Sequence, residues 1–286
     1  MNPSEARGSE PGIPVAVVQM TTGRDTAANV TRAGGLVAEA ARRGATLVVL
    51  PETWNLMDDA DGLRGGAESL DGPSLTAARG WAAAHSVTLL AGSITERIPG
   101  SEQTFNTSVL IGPDGRDIAT YCKTHLFDVA VGGRVYRESA VTRPGDRVVV
   151  ADACGQRLGM SVCYDLRFPE LYRALIDHGA SLIAVPSAFT ATTGRDHWEV
   201  LLRARAIENQ VAVLAANQFG RHDNGTISYG RSMIVDAWGT VLARVPDGEG
   251  MAIAAIDFAR QAAVRADLPA LTHRRTDLYG SSPHTT

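Results

Sequence analysis

Cysteine and long apolar runs are scarce in this 286-residue sequence, and each scarcity excludes a class of protein. The three cysteines, Cys122, Cys154 and Cys163, are odd in number and form no C-x-x-C pair. This excludes a disulfide framework and a thiolate zinc site. No apolar run approaches the roughly 20 residues that span a bilayer, so no membrane association is expected. A reducing cytoplasm is the simplest location for such a chain.

Positive charge is not in excess either. The 27 Lys and Arg residues are outnumbered by 31 Asp and Glu residues, and the net charge is −4. The arginines are scattered along the chain, whereas a phosphate-binding surface needs a basic stripe. Nucleic acid is therefore not an expected partner.

Lysine is nearly absent, because Lys123 is the only one and the other 26 basic residues are arginines. Such a chain should keep a lysine chiefly where a guanidinium cannot serve, as a compact ammonium or an amine with a tunable pKa. Lys123 is therefore a catalytic candidate. The alternative is the chance survival of one solvated surface lysine.

Length and apolar content indicate one globular domain. A chain of this length buries roughly three quarters of the surface that its unfolded form exposes. Residues 1–12 are polar and rich in Pro, Gly and Ser, without the pattern of a signal sequence, so a disordered leader is expected there. A single domain is predicted over 13–280, followed by a flexible tail over 281–286.

Short apolar runs alternate with helical patterns, which is typical of an α/β protein. Strands are predicted over 15–18, 47–50 and 182–185, and helices over 27–43 and 169–178. A further helix is expected to begin with Asp196 as its N-cap and Glu199 at the capping-box position.

Three pairs of segments resemble each other along the chain. Residues 44–54 match 179–189 at an offset of 135, whereas 87–93 match 211–217 and 108–115 match 232–239, both at an offset of 124. These offsets are too long for a solenoid repeat. The duplication predicts two similar α-β-β halves, whose sheets pack face to face with helices outside.

Cys163 is the best placed of the three thiols to act as a nucleophile. It follows an apolar run and precedes a helix that opens at Pro169. A side chain at a strand-to-helix turn lies beside free backbone N–H groups, which stabilise both a thiolate and an oxyanion. Cys122 would point away from Lys123 on an extended strand, and Cys154 lies in a predicted turn, so both are interpreted as bystanders.

A nucleophilic thiol needs a base and a group that receives the developing oxyanion. Glu52 is a candidate base, because it follows a buried strand and should emerge at the carboxyl end, where open α/β sheets bind ligands. The alternative is a solvated loop carboxylate. Lys123 also follows a predicted strand.

Other catalytic patterns are missing from the sequence. There is no G-x-S-x-G elbow, no G-x-G-x-x-G, no P-loop and no H-E-x-x-H, and the seven histidines are dispersed. No metal and no organic cofactor is therefore expected.

Three motifs resemble those of the carbon–nitrogen hydrolase (nitrilase) superfamily. They are LVVLPE at 47–52, YCKTHLFD at 121–128 and GMSVCYDLRFPELY at 159–172. The resemblance implies a four-layer α-β-β-α sandwich that dimerises into an eight-layer assembly, so a homodimer or higher homo-oligomer is expected. No cofactor is implied.

The same resemblance assigns roles to individual residues. Glu52 is implied to be the general base, Lys123 the transition-state stabiliser and Cys163 the nucleophile, with the backbone N–H of Tyr164 as second oxyanion donor. Glu138 resembles the additional carboxylate that positions the lysine and the substrate. The family often has Pro-Gly after the lysine motif where this chain has Gly-Gly at 132–133.

Within the superfamily, the likeness is to the Nit branch and especially to amidases that act on deaminated glutathione. It rests on segments 193–208, 220–222, 228–230 and 273–280. The implied products are 2-oxoglutarate and Cys-Gly. Arg167 and Arg195 are candidates to bind the substrate's carboxylates, and His197 is a candidate pocket residue.

Three alternatives remain from the sequence alone. The first is an ω-amidase acting on 2-oxoglutaramate, and the second is an aliphatic amidase or nitrilase. The third is a catalytically idle scaffold, against which the retained lysine argues.

Overall fold

The strands and helices alternate as the sequence predicts, and a computed structural model describes them over residues 12–279. The strands are β1 (Ile13–Gln19), β2 (Leu47–Val49), β3 (Thr88–Leu90), β4 (Ile94–Arg97), β5 (Thr104–Ile111), β6 (Asp117–Cys122), β7 (Asp128–Val131), β8 (Arg134–Arg137), β9 (Val150–Ala153), β10 (Gln156–Met160), β11 (Leu182–Ala184), β12 (Ala212–Ala215), β13 (Phe219–Arg221), β14 (Ile227–Tyr229), β15 (Met233–Val235), β16 (Val241–Arg244) and β17 (Gly250–Ile256). The helices are α1 (Thr26–Arg42), α2 (Ala60–Gly65), α3 (Pro73–His85), α4 (Pro169–Asp177), α5 (Ala191–Asn209), α6 (Phe258–Asp267) and α7 (Thr276–Tyr279), with 3-10 turns at Glu138–Ala140 and Cys163–Arg167. The predicted tail and all of the predicted leader except Gly12 lie outside the described residues.

Two large sheets have the same strand order and the same strand directions. In the first sheet, β17, β1, β2, β3, β5 and β6 are neighbours in that order, with β4 also paired to β5. In the second sheet, the order is β9, β10, β11, β12, β15 and β16. Along both series the pairings are antiparallel, parallel, parallel, antiparallel and antiparallel. The predicted duplication is therefore confirmed.

The two halves also share their irregularities. The pairing register shifts between Leu110 and Ile111 in β5, and between Ile234 and Val235 in β15. These two bulges are separated by the same offset of 124 residues that relates the repeated segments. Bulges bend a strand and raise its local twist, so the two sheets curve at equivalent places.

Alternating side chains of the strands fill both sides of each sheet. On β1, Val15 and Val17 lie in the core between the two sheets, whereas Ala16 and Val18 lie in the core beneath α1 and α3. Helices α4 and α5 pack on the second sheet through Leu175, Trp198 and other apolar residues. The result is the predicted α-β-β-α sandwich, because each amphipathic helix covers an apolar sheet face. The single-domain interpretation stays a prediction, which the shared central core supports.

The predicted start of α5 is wrong. The helix begins at Ala191 with Thr190 as its N-cap, so Asp196 lies inside it. Gly194 belongs to the first turn, where its N–H donates to the carbonyl of Thr190 at 2.7 Å. A Cβ at Gly194 would lie 2.4 Å from the Cβ of Tyr229. The first turn of α5 therefore packs closely against β14, a distant contact that a local capping pattern does not display.

Two small hairpins, β7–β8 and β13–β14, stand apart from the large sheets. Their residues border the site described below. Within residues 12–279, no helix combines the length and apolar character needed to cross a membrane.

Candidate active site

The candidate catalytic residues lie at the ends of strands. Glu52 follows β2 by way of Pro51, Lys123 directly follows β6, and Cys163 follows β10. β2 and β10 are interior strands of the two sheets, and the packing of the sheets brings their carboxyl ends together.

The structure brings Glu52, Lys123 and Glu138 into one buried cluster of charge. The Lys123 ammonium Nζ lies 2.9 Å from Glu52 Oε1, and 3.0 and 2.8 Å from the two carboxylate oxygens of Glu138. Only 2% of Lys123 and 4% of Glu52 are exposed to solvent. A compact ammonium can contact three oxygens in this way, whereas a planar guanidinium would need more space.

Further hydrogen bonds fix both carboxylates. Asn106 Nδ2 donates to Glu52 Oε1 at 2.9 Å and to Glu138 Oε1 at 3.2 Å. The second oxygen of Glu52 accepts the N–H of Ala188 at 2.8 Å, and that of Glu138 accepts the N–H of Phe127 at 2.7 Å. The carboxylates therefore have little freedom to turn away from the lysine.

Cys163 has a backbone conformation that side chains rarely adopt. Its φ is +49°, in the left-handed region, and its N–H donates to the carbonyl of Pro186 at 2.8 Å. Such a residue costs on the order of 1–3 kcal/mol and persists only where its surroundings enforce it. The conformation ends β10 sharply, and the thiol faces the cavity beside Glu52 and Lys123.

Burial and charge keep the thiol and the lysine protonated. Burial raises the pKa of the Cys163 thiol well above its ordinary value, Glu52 raises it further, and Lys123 opposes both. Burial by itself would lower the pKa of Lys123, but Glu138 and Glu52 outweigh burial and hold that pKa well above its ordinary value. The resting site therefore contains a neutral thiol, a cation and two carboxylates as candidate proton acceptors.

This arrangement provides the parts of nucleophilic acyl chemistry. A thiol stands beside a carboxylate that can take its proton, and a fixed cation lies close to both. Tyr164 is the second residue of the 3-10 turn, so its backbone N–H precedes the first hydrogen bond of that turn. That N–H is free to donate to an oxyanion. Among residues 12–279, no group of three or more His, Cys, Asp or Glu side chains is placed to hold a metal ion.

Asp165 connects the 3-10 turn that carries Cys163 to the segment that carries Lys123, through hydrogen bonds. The carboxylate is completely buried. One oxygen accepts the hydroxyl of Tyr121 at 2.7 Å and the N–H of Val162 at 2.8 Å. The other accepts the hydroxyl of Thr124 at 3.1 Å and the N–H of His125 at 3.0 Å. This carboxylate therefore sets the position of Cys163 relative to Lys123.

A cavity of about 320 Å³ opens onto the cluster. Arg167 lines it, with its guanidinium 5.1 Å from the centre of the Phe189 ring and 3.2 Å from His197 Nδ1. His197 itself is exposed and does not line the cavity, and the same holds for Arg195. Of the three residues expected to bind substrate, the structure therefore places Arg167 in the wall and His197 behind it.

Sequence reasoning missed Asn106, Asp165 and Arg134. Asn106 and Asp165 are buried polar residues in segments that otherwise form strands or turns. A polar side chain in an apolar run could have indicated such a residue, because buried polar groups are almost always hydrogen-bonded. Arg134 lines the outer cavity, and nothing in its local sequence distinguishes it from the other arginines.

The chain is similar to known proteins over most of its length. The model of the family described as carbon-nitrogen hydrolase matches residues 14–266. The deaminated glutathione amidase of Homo sapiens is 45% identical over 278 residues, covering 94% of this chain and 84% of that protein. Omega-amidase NIT2 of Homo sapiens is 37% identical over 266 residues, covering 93% of this chain and 96% of that protein.

A solved structure resembles this chain over nearly the whole length of this chain. The NitFhit protein of C. elegans superimposes with a TM-score of 0.90 at 37% sequence identity, covering 95% of this chain and 67% of that chain. The family match spans most of the sequence, and both relatives exceed 30% identity over nearly all of it. The chain therefore belongs to the carbon-nitrogen hydrolase family, as its three motifs predict.

Proposed function

We propose that this enzyme hydrolyses a small carboxylated amide through a thioester on Cys163, and that its substrate is deaminated glutathione. The products would be 2-oxoglutarate and Cys-Gly. The observation that carries the proposal is the buried ammonium of Lys123, held between Glu52 and Glu138 beside the thiol of Cys163, whose backbone is in the left-handed region. The name and the high identity of the human deaminated glutathione amidase support the choice of substrate.

The first half of the reaction forms the thioester. Glu52 takes the proton of the Cys163 thiol as the sulfur attacks the amide carbon. The Lys123 ammonium and the N–H of Tyr164 stabilise the oxyanion of the tetrahedral intermediate. As the intermediate collapses, Glu52 gives its proton to the departing amine and the C–N bond breaks.

The second half releases the acid. Glu52, again a carboxylate, removes a proton from a water molecule that attacks the thioester carbon. The C–S bond breaks, the proton returns to sulfur, and the carboxylic acid leaves. One residue serves as base and acid twice, which requires a carboxylate fixed near both sulfur and leaving group. The hydrogen bonds from Ala188 and Asn106 supply that fixation.

Glu138 is proposed to hold the lysine charged and in place. Its two oxygens contact Nζ at 2.8 and 3.0 Å, so the lysine remains a cation although it is buried. Arg167 is proposed to bind the carboxylate of the oxo-acid part of the substrate, because its guanidinium lies in the wall near the nucleophile turn. Its contact with His197 orients it.

An ω-amidase acting on 2-oxoglutaramate is the alternative. The identity to omega-amidase NIT2 favours it, and its substrate would use the same acyl part with ammonia as leaving group. An idle scaffold is disfavoured by the complete cluster of base, cation and thiol.

The test is release of 2-oxoglutarate, followed with a coupled dehydrogenase in the presence of excess ammonium. Wild-type protein and Cys163→Ala are incubated with deaminated glutathione and, separately, with 2-oxoglutaramate. Release by the wild type alone, with a higher kcat/KM for deaminated glutathione, is the expected result. A higher kcat/KM for 2-oxoglutaramate would favour the alternative, and release by Cys163→Ala would refute the role of the thiol.

We further propose a homodimer located in the cytoplasm, on the resemblance to the superfamily and on the scarcity of paired cysteines. Light scattering of the purified protein tests the dimer. A monomer at micromolar concentration would contradict it.

A further inference from the structure

Two hairpins form the outer part of the cavity. Arg134 at the start of β8 reaches the β13–β14 turn, where its Nη2 lies 3.4 Å from the carbonyl oxygen of Asn224. The other end of the β7–β8 turn lies against α5, because a Cβ at Gly132 would come 2.9 Å from Thr192 Oγ1. The hairpins therefore meet across the cavity and hold Arg134 at its mouth.

The acidic side chains of the cavity already have basic partners. Lys123 contacts both Glu52 and Glu138. Asp58 and Asp59 contact Arg24 at 2.7 and 3.5 Å.

Arg134, in contrast to these paired side chains, has no partner of opposite charge among the described residues. Within residues 12–279 no carboxylate lies within ion-pair distance of its guanidinium, whose other contact is the face of Tyr136 at 5.5 Å. An arginine fork with open donors is suited to a carboxylate of a ligand.

Depth in the cavity separates two parts of a bound amide. The reacting carbonyl must reach Cys163, which is 8% exposed, whereas Val135 and Ile227 at the mouth are 63% and 42% exposed. Arg167 belongs to the same 3-10 turn as Cys163 and is the inner cation. An acyl part held there would leave the amine part of the substrate facing the hairpins.

We propose that the mouth between the two hairpins is a subsite for the leaving amine, in which Arg134 binds a carboxylate carried by that amine and Val135 and Ile227 contact its apolar part. This proposal rests on the proposed function and deepens it. It explains how one active site would prefer an amide with a carboxylated dipeptide as leaving group over an amide that releases ammonia. Arg134 is then a specificity residue and takes no part in bond making.

The test compares three substrates with three proteins. The substrates are deaminated glutathione, the same molecule with its terminal carboxylate converted to a primary amide, and 2-oxoglutaramate. The proteins are the wild type, Arg134→Gln and the control Arg116→Gln, which changes an arginine that is 88% exposed in the β5–β6 turn away from the cavity.

The wild type is expected to prefer the acid over the amide by about tenfold in kcat/KM, equivalent to about 1.4 kcal/mol. Arg134→Gln should lose that preference through a higher KM for deaminated glutathione, with the other two substrates unchanged. Arg116→Gln should behave as the wild type.

Each other outcome overturns the subsite. An equal loss on all three substrates means that Arg134 only supports the hairpin, and an unchanged preference means that it does not contact the carboxylate. If the wild type hydrolyses none of the three, the proposed function fails and this proposal fails with it. Hydrolysis that is independent of Arg134 removes the subsite alone.

Discussion

The two sheets of the sandwich have the same topology, but the residues at the ends of their equivalent strands differ in chemistry. At equivalent strand ends, separated by 135 residues, the first sheet carries Glu52 and the second carries Ser187. Counted along the equivalent strands β1 and β10, the position of Cys163 in the second sheet corresponds to Met20 in the first. The duplicated backbone thus presents two sets of strand ends, and only a few side chains turn them into one site.

The site is a joint product of the two sheets. Glu52 accepts the N–H of Ala188, which follows its own counterpart Ser187 in the second sheet. The first sheet supplies the base and the cation, and the second supplies the thiol. A duplicated fold therefore need not contain two half-sites, because each copy can specialise in one reactant.

The largest effect is expected when the thiol is removed. Cys163→Ala should lower kcat by at least about 10⁴-fold, since the other groups alone leave only residual catalysis. The protein should stay folded, because alanine keeps the Cβ and removes only one buried sulfur atom. Steady-state kinetics and circular dichroism are the measurements. The matched controls Cys122→Ala and Cys154→Ala should keep near-normal rates, and a comparable loss in either would contradict the assignment.

Glu52 and its counterpart Ser187 give the next comparison. Glu52→Gln preserves the size of the side chain but removes the proton acceptor, so kcat should fall by about 10³-fold. Ser187→Ala should change kcat by less than about threefold, because its hydroxyl makes, among the described residues, one long hydrogen bond, to the carbonyl of Val185 at 3.3 Å. Kinetics over a range of pH provide the test. Similar losses in both variants would mean that Glu52 acts mainly by holding the two sheets together through its hydrogen bond from Ala188.

Lys123→Arg separates charge from shape. The charge is kept, so the two carboxylates remain paired, but a planar guanidinium cannot occupy a site that leaves 2% of the lysine exposed. We expect kcat to fall by about 10²-fold to 10³-fold, the cost of losing one oxyanion donor. The reverse exchange Arg116→Lys on the surface is the control. An arginine variant with normal kcat would refute a special role for the ammonium.

Much of the fold could be predicted from the sequence, because its signals are local. Helix α1 is observed at Thr26–Arg42 against the predicted 27–43, and α4 begins at the predicted Pro169. The start of α5 could not be predicted from the capping pattern, and its first turn packs against a distant strand through Gly194 and Tyr229. Capping patterns describe a helix end only when no distant contact overrides them.

The site was predictable to the extent that its residues are chemically unusual. Lys123 is the only lysine, and Glu52 follows an apolar strand, so both were identifiable. Asn106 and Asp165 act through hydrogen bonds to residues far along the chain, which the sequence does not display. Arg195 satisfied the same charge criterion as Arg167, yet it lies on the exposed side of α5.

The smallest expected effect concerns stability at alkaline pH. The folded-state pKa of Cys163 lies well above the ordinary 9.0, chiefly through burial, so the unfolded chain loses this proton first as pH rises. The contribution of the Cys163 thiol to the free energy of unfolding is therefore constant below pH 9 and decreases above pH 9. Between pH 7 and pH 10 the thiol should lower the free energy of unfolding by about 1.4 kcal/mol.

Urea unfolding of the wild type and of Cys163→Ala at both pH values measures this contribution, with Cys154→Ala as the control for loss of a thiol outside the site. Burial also raises the pKa of Tyr121 and Tyr172, and burial acts in all three proteins, so these contributions largely cancel; Cys163 is only a minor cause of the Tyr172 shift. The alkaline loss should be smaller by about 1.4 kcal/mol in Cys163→Ala. An equal loss in wild type and Cys163→Ala would mean that the thiol ionises as readily in the folded protein as in the unfolded chain, and would refute a raised pKa in the folded state. Burial beside the carboxylate of the first sheet would then not hold the thiol of the second sheet in its neutral form, and the dependence of one sheet on the other would be weaker than the geometry indicates.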